Sequence, residues 1–273
     1  MNTILNYIII FFAFLGQLYQ KKRIIIAMAK REISNQYIGS ILGFVWTFLQ
    51  PLITITVFWA IFSVVFKVKP ANNIPFVTWL IAGIASWSLF SEIVNSSSNI
   101  IITYAHLIKK TVFNSEILPI VRILSSLITH LIFLFLLTTL MIILNVPITI
   151  YYFQFLYYLF CIIILSIGLS WIVSSLNVFI RDIAKITGVL LQIGFWITGI
   201  FWDMSRVPGP YQIFMKANPM FYVVQGYRES FFYQVPFWHH PSQTIYFWCF
   251  TMVCFIGGAL IFKNLKPQFT DVL

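Results

Sequence analysis

The chain is poor in charge. Of its 273 residues, 9% are charged, and only 7 are Asp or Glu. With 60% hydrophobic residues and a mean hydropathy of +0.91, it carries more apolar surface than a water-soluble core can hide, so part of its solvent is lipid. Cysteine is scarce too. Cys161, Cys249 and Cys254 lie in or beside apolar runs without a CxxC pair, which excludes a zinc site of that type and a disulfide framework. There is no Gly–Lys dipeptide, hence no phosphate-binding loop of the GxxxxGK[ST] kind. No acidic cluster suited to a metal and no Ser–His–Asp set on one membrane side appears, which argues against an integral-membrane enzyme. No inverted repeat is visible, which argues against a secondary carrier. Nor are there mid-membrane carboxylates, because Glu92, Glu116, Arg122, Arg181 and Asp182 all fall near the ends of apolar runs. His130 alone lies deep, and a lone His on an apolar helix is more often bonded to a neighbour than part of a proton relay.

What is present is a series of apolar runs. They predict six helical spans near Phe44–Phe66, Phe76–Val94, Ile117–Leu144, Phe155–Ile180, Ile186–Phe201 (a short one) and Thr244–Phe262. A net charge of +10 could suggest nucleic acid. The basic residues, however, are spread over segment ends, so they read as topology signals and no nucleic-acid partner is expected. Lys21, Lys22, Arg23, Lys30, Arg31, Lys109, Lys110, Arg122, Arg181, Lys185, Lys263 and Lys266 fall on one side. Only Lys67, Lys69, Arg206, Lys216 and Arg228 fall on the other. The positive-inside bias predicts both termini in the cytoplasm.

Ile4–Leu18 is apolar but short for a span, and the basic cluster follows it, unlike in a signal peptide. Asn2, Asn6, Ala13, Gln17 and Gln20 align on one helical face that Arg23, Ala27, Lys30 and Ser34 continue. This predicts an amphipathic helix lying in the cytoplasmic interface over residues 1–43, with a seventh span as the alternative. Ser166, Ser170 and Ser174, Ala82 and Ser86, and Gly188, Gln192, Phe195 and Gly199 form stripes of small or polar residues that close helix packing explains. Among the aromatics of spans one, two and five, those near span ends read as interfacial belts. Phe58, Trp59, Phe195 and Trp196 lie deeper, with Phe201 and Trp202 following, and together they make a candidate corridor for sugar rings.

Residues 208–241, from "PGPYQIFMKANP" to "FWHHP", are apolar but broken by Pro208, Pro210, Pro219, Pro236 and Pro241, so they cannot cross the membrane in one helix. Asn218–Pro219 predicts a break between two short helices, Pro210–Ala217 and Pro219–Gln234.

Five stretches carry a family resemblance: "REISNQYIGSILGFVWTFLQPL" (Arg31–Leu52), "HLIKKTVFNSEILPI" (His106–Ile120), "NVFIRDI" (Asn177–Ile183), "NPMFYVVQGYRESFF" (Asn218–Phe232) and "FKNLKPQFTDVL" (Phe262–Leu273). In this order they resemble the permease subunits of bacterial ABC exporters of lipid-linked polysaccharide. Wall teichoic acid and O-antigen exporters look most similar, with teichoic acid favoured. The resemblance implies an all-α integral membrane protein of the bacterial inner (plasma) membrane. It would have an N-terminal amphipathic interfacial helix, six transmembrane helices and two short re-entrant helices between the fifth and sixth. The whole chain would be one transmembrane domain, with a six-span core over 44–262 and a cytoplasmic tail over 263–273.

It further implies a homodimer served by two copies of a separate ATPase subunit that binds the ATP and Mg, and no cofactor on this chain. The connection 95–114 would dock into the ATPase through Ile102, Tyr104, His106, Leu107, Lys109 and Lys110, where an ordinary solvated turn is the alternative. Lys30, Arg31 and Arg181 would receive a polyprenyl diphosphate. The two short helices would close an exit gate through Phe214, Met215, Phe221, Tyr222 and Arg228, where an amphipathic helix resting on the outer surface is the alternative. Export of a small lipid or drug by the same scaffold, or a membrane-bound glycosyl- or phosphotransferase, stay open as other functions.

Overall fold

The computed structural model describes residues 16, 19–68, 74–110, 113–204 and 207–273, and the side chain of Lys110 is outside that set. Among the described residues every regular element is helical. The expected helix over Ile4–Leu18 and the positions of Lys69 and Arg206 lie outside them.

The first described helix, α1 (Lys22–Asn35), continues the polar stripe read from the sequence. Arg23, Ala27, Lys30 and Ser34 are all exposed on it, while Ile25, Ala29 and Glu32, spaced by four and three, are buried. One face therefore packs and the other stays open, as an amphipathic helix requires. The packed face meets Ile117 and Val121, at the start of the helix Leu118–Ile143.

Among the described residues five helices are long and apolar enough to cross a membrane: Gly43–Val65, Phe76–Ser98, Ser115–Ile143, Ile150–Phe179 and Pro241–Val272. Their cores are α2 (Trp46–Trp59, prolonged by a π-helical turn, Ala60–Val65), α3 (Phe76–Ser98), α6 (Leu118–Ile143), α7 (Phe155–Phe179) and α11 (Pro241–Leu265). The short segments α4 (Ile100–Thr103) and α5 (Ala105–Lys110) join α3 to α6, and α12 (Phe269–Val272) ends the chain.

The fifth expected span is a shorter object. α8 (Asp182–Ile197) has 16 residues, about 24 Å at 1.5 Å per residue, against a hydrocarbon core of about 30 Å. It begins four residues before the expected start, because Arg181 and Asp182 open it, and it ends four before the expected end. Gly199, at φ +75°, is the reason: the left-handed conformation stops the helix there. Two short helices follow, α9 (Gly209–Ala217) and α10 (Pro219–Arg228), the latter prolonged by a π-helical turn, Glu229–Tyr233. Asn218 separates them, its side-chain oxygen accepting from the Met220 N–H at 3.0 Å to cap α10.

The core forms around α3, which packs against α6, α7, α8 and α10. α11 packs chiefly on α7. There the helices approach so closely that a Cβ on Gly168 would come within 2.7 Å of the backbone of Cys254 and Phe255. Small residues at helix crossings are what membrane packing needs, since lipid supplies no hydrophobic drive to bring helices together.

Candidate functional site

Four polar side chains of α3 form one stripe. Ser88, Ser91, Glu92 and Asn95 are spaced by three, one and three, a single helical face. It forms one wall of an open-sided cavity of about 590 Å³, lined as well by Gln50, Pro51 and Thr54 of α2, Thr129 and Phe133 of α6, and Gly188, Leu191, Gln192 and Phe195 of α8. α3 and α8 nearly touch at its edge, where a Cβ on Gly188 would lie 4.0 Å from the Asn95 side-chain oxygen. On the α6 side, the Ser126 hydroxyl bonds the partly buried Glu92 carboxyl, and Arg122 lies near it. Placing a carboxylate, three amides and several hydroxyls between membrane-spanning helices is costly unless they line a wet cavity or hold a polar ligand.

Aromatic rings border the cavity. Phe195 lines it together with Trp87, their ring centres 6.2 Å apart. Behind them Phe58 meets Phe195 at 6.0 Å and Phe201 at 4.7 Å, and Phe62 stacks on Phe201 at 4.5 Å. Of the six residues expected to form a corridor, Phe58, Phe195, Trp196 and Phe201 are thus one cluster, with Trp202 6.4 Å beyond Phe201. Phe201 is fully buried by these neighbours, whereas Trp59 and Trp196 are exposed on the outside of the single chain. The sequence reading missed the polar wall. Its signal was the i, i+3, i+4, i+7 spacing of Ser88, Ser91, Glu92 and Asn95, which was legible but was not weighed as a face.

The two short helices differ from each other. On α9, Tyr211, Ile213 and Phe214 are exposed, and only Met215 turns inward, toward Gly199. α10 lies within the protein: Phe221, Tyr222 and Arg228 are all buried, so a helix resting on an outer surface does not describe it. Tyr222 shares hydrogen bonds with Tyr157 (3.2 Å) and Thr244 (3.0 Å). The Arg228 guanidinium donates to the carbonyls of Gly199 (3.0 Å) and Ile200 (2.8 Å) and lies 3.3 Å over the Trp79 ring. It thereby satisfies two carbonyls of the turn that follows α8. Asn218 adds a bond to Thr198 at 2.7 Å. Together these fix α10 to the end of α8. His130 is held likewise, between the Ala85 carbonyl (3.2 Å) and the Tyr227 hydroxyl (3.1 Å).

At the end of the bundle that carries α1, a second cluster joins three elements. Glu32 of α1 accepts a hydrogen bond from the Tyr104 hydroxyl and pairs with Arg122 of α6 at 2.6 Å. Burial, then the Glu32 carboxylate, push the Tyr104 phenol up to about 12. Tyr104 is therefore turned away from the surface on which an ATPase contact was expected. Ile102 and Leu107 are half-buried, and His106 and Lys109 are exposed. Lys30, Arg31 and Arg181 are exposed, but α1 packs on α6 while α8 packs on α3 and α7, so they stand on different neighbours. Among the described residues no group of three or more His, Cys, Asp or Glu could hold a metal ion.

The comparisons with known proteins agree with this architecture. O-antigen export system permease protein RfbA of Myxococcus xanthus is 27% identical over 267 residues, covering 93% of this chain and 97% of that protein. Its namesake from Klebsiella pneumoniae is 25% identical over 273 residues, covering 95% and 97%. Capsule polysaccharide export inner-membrane protein CtrC of Neisseria meningitidis is 22% identical over 267 residues, covering 94% and 97%. The sequence profile described as ABC-2 type transporter matches residues 23–232, from within α1 through the π-helical turn after α10. Since that match takes in the polar cavity, the aromatic cluster and the α8–α10 clamp alike, the chain belongs to the ABC-2 type transporter family.

Proposed function

We propose that the chain is the membrane-spanning subunit of an ATP-driven exporter that moves a polyprenyl-diphosphate-linked cell-surface polysaccharide from the cytoplasmic to the outer face of the bacterial membrane. The observation that carries this reading is the near-full-length similarity to permeases whose names specify O-antigen and capsule export. The aromatic and polar cavity within the helices is its chemical counterpart. Wall teichoic acid, favoured by the short motifs alone, is not the polymer named for those relatives. O-antigen or a capsule-type glycan is the better expectation.

In this reading two copies of the chain pair, and two copies of a separate ATPase bind ATP and Mg. Both termini and α4–α5 face the cytoplasm. His106 and Lys109, with Ile102, Leu107 and Lys110, meet the ATPase, while Tyr104 transmits its motion inward to Glu32. Lys30, Arg31 and Arg181 attract the diphosphate at the cytoplasmic interface, where exposed cations meet phosphate at little cost. Phe58, Phe195 and Trp196 offer stacking faces that tolerate varied sugars. α9 and α10 dip into the outer leaflet as an exit gate, with the exposed Phe214 on its moving part and Arg228 as its anchor.

Co-expression with the ATPase from the same locus, in cells labelled for their surface polymer, tests the proposal. Depletion of this chain should leave lipid-linked polymer inside, hidden from a lectin applied to intact cells. Surface polymer that is unchanged after depletion would refute it.

A further inference from the structure

The cavity among α2, α3, α6 and α8 has a sign of charge. Its lining contains the Glu92 carboxylate and no Lys, Arg or His. The cation that acts on Glu92 from behind, Arg122, is itself paired with Glu32 at 2.6 Å. The remaining polar groups of the wall are the amides of Gln50, Asn95 and Gln192 and the hydroxyls of Thr54, Ser88, Ser91 and Thr129. Carboxylate and amide oxygens accept from sugar hydroxyls and amide N–H groups donate to them, and the adjoining Trp87 and Phe195 rings present apolar faces to the C–H side of a pyranose. At about 590 Å³ the space falls within the roughly 300–1,000 Å³ of small-molecule sites.

We propose that this cavity is a charge-selective sugar subsite, in which Glu92, Asn95 and Gln192 hydrogen-bond a neutral or amine-bearing glycan while the Glu92 carboxylate disfavours polymers with an anion in every repeat. The inference rests on the exporter reading above and narrows its substrate class. A polyol-phosphate or polysialic chain would bring fixed negative charges beside that carboxylate, and no lining cation would offset the repulsion. A neutral glycan meets the same wall as a set of acceptors and donors. An amino sugar gains an ion pair.

The test uses the purified full-length transporter in nanodiscs and three lipid probes: polyprenyl diphosphate alone, the same anchor bearing a neutral hexasaccharide, and the same anchor bearing a glycerol-phosphate hexamer. Competition binding is read for the native chain, Glu92→Gln and Glu92→Lys, each checked for a monodisperse elution profile. The native chain should favour the neutral probe over the anionic one by about tenfold. Glu92→Gln should bring the ratio near unity and Glu92→Lys should invert it. Should Glu92→Lys fail to fold, Glu92→Gln decides alone. Equal binding of both polymers above the bare anchor, unmoved by either substitution, would overturn the charge selection and leave the polymer reading standing. Binding of neither polymer beyond the bare anchor would overturn both.

Discussion

Two spans of equal length, Gly43–Val65 and Phe76–Ser98, have opposite fates. The first has the higher mean hydropathy, 2.0 against 1.5, yet only 11% of its most apolar window is buried within the chain, against 78% for the second. In water the more apolar helix would go inside. In lipid it does not, because the tails are as apolar as Leu, and what sorts helices is how closely they can pack and which polar groups must be covered. The second span has Ala82, Gly83, Ala85 and Ser86 fully inside, and a Cβ on Gly83 would meet the Arg228 guanidinium at 2.9 Å. The first presents Leu52, Ile53, Val57, Val64 and Val65 outward. Between these two helices, small and polar residues at the crossings, more than mean hydropathy, decide which lies inside.

The sharpest way to break that contrast lies in two adjacent glycines of α11. A Cβ on Gly258 would fall 2.3 Å from the Gly168 carbonyl oxygen, while one on Gly257 meets nothing within 4 Å. Gly258→Val should force α7 and α11 apart and abolish a monodisperse peak in detergent, whereas Gly257→Val should leave elution and yield unchanged. Equal tolerance of both would mean that the close crossing does not hold the bundle.

Next in size is the clamp on α8. Arg228→Leu leaves the Gly199 and Ile200 carbonyls buried without donors, each costing roughly 1–3 kcal/mol, for a total of about 3 kcal/mol. A lowered thermal midpoint should report it. Arg228→Lys, with charge but no fork, should recover only part. This clamp shows where sequence reading ends. The apolar runs gave five spans to within a few residues at most ends, because length and hydropathy are local properties. The break at Asn218–Pro219 was legible from proline chemistry. Nothing local could pair Arg228 with carbonyls 28 and 29 residues earlier, or Glu32 with Tyr104, 72 residues later. The polar stripe of α3 was on the page, but a stripe becomes a cavity wall only once α2 and α8 stand opposite it.

A smaller effect measures the two spans directly. Ile81, fully buried on α3, changed to Ala should cost about 2 kcal/mol or more in midpoint-derived stability through lost packing. Val57→Ala, at a residue 48% exposed on α2, should stay within about 0.5 kcal/mol. A loss at Val57 matching that at Ile81 would mean that another chain covers this face in the assembled protein.

A loss smaller than that at Ile81 is expected at Tyr104, and its pH dependence identifies it. Tyr104→Phe removes a buried donor to Glu32 while leaving the Arg122 pair intact, so the loss should be roughly 1–2 kcal/mol. The phenol is raised from 10.0 to about 12 by burial first and by the Glu32 carboxylate second. A group whose folded pKa lies above its unfolded value lends its full stability below the unfolded value. It loses that stability as pH climbs through the folded one. The native chain should therefore exceed the Phe variant by a constant margin up to about pH 10, and the margin should shrink as pH rises toward 12. Thermal midpoints of both proteins between pH 8 and 11 would follow it. A margin that stays flat across that range would mean the phenol does not hold its proton for Glu32. α1 would then be tied to the bundle by Arg122 and the Ile25–Ala29 face alone, and the segment from Ile100 to Lys110 could move without moving α1.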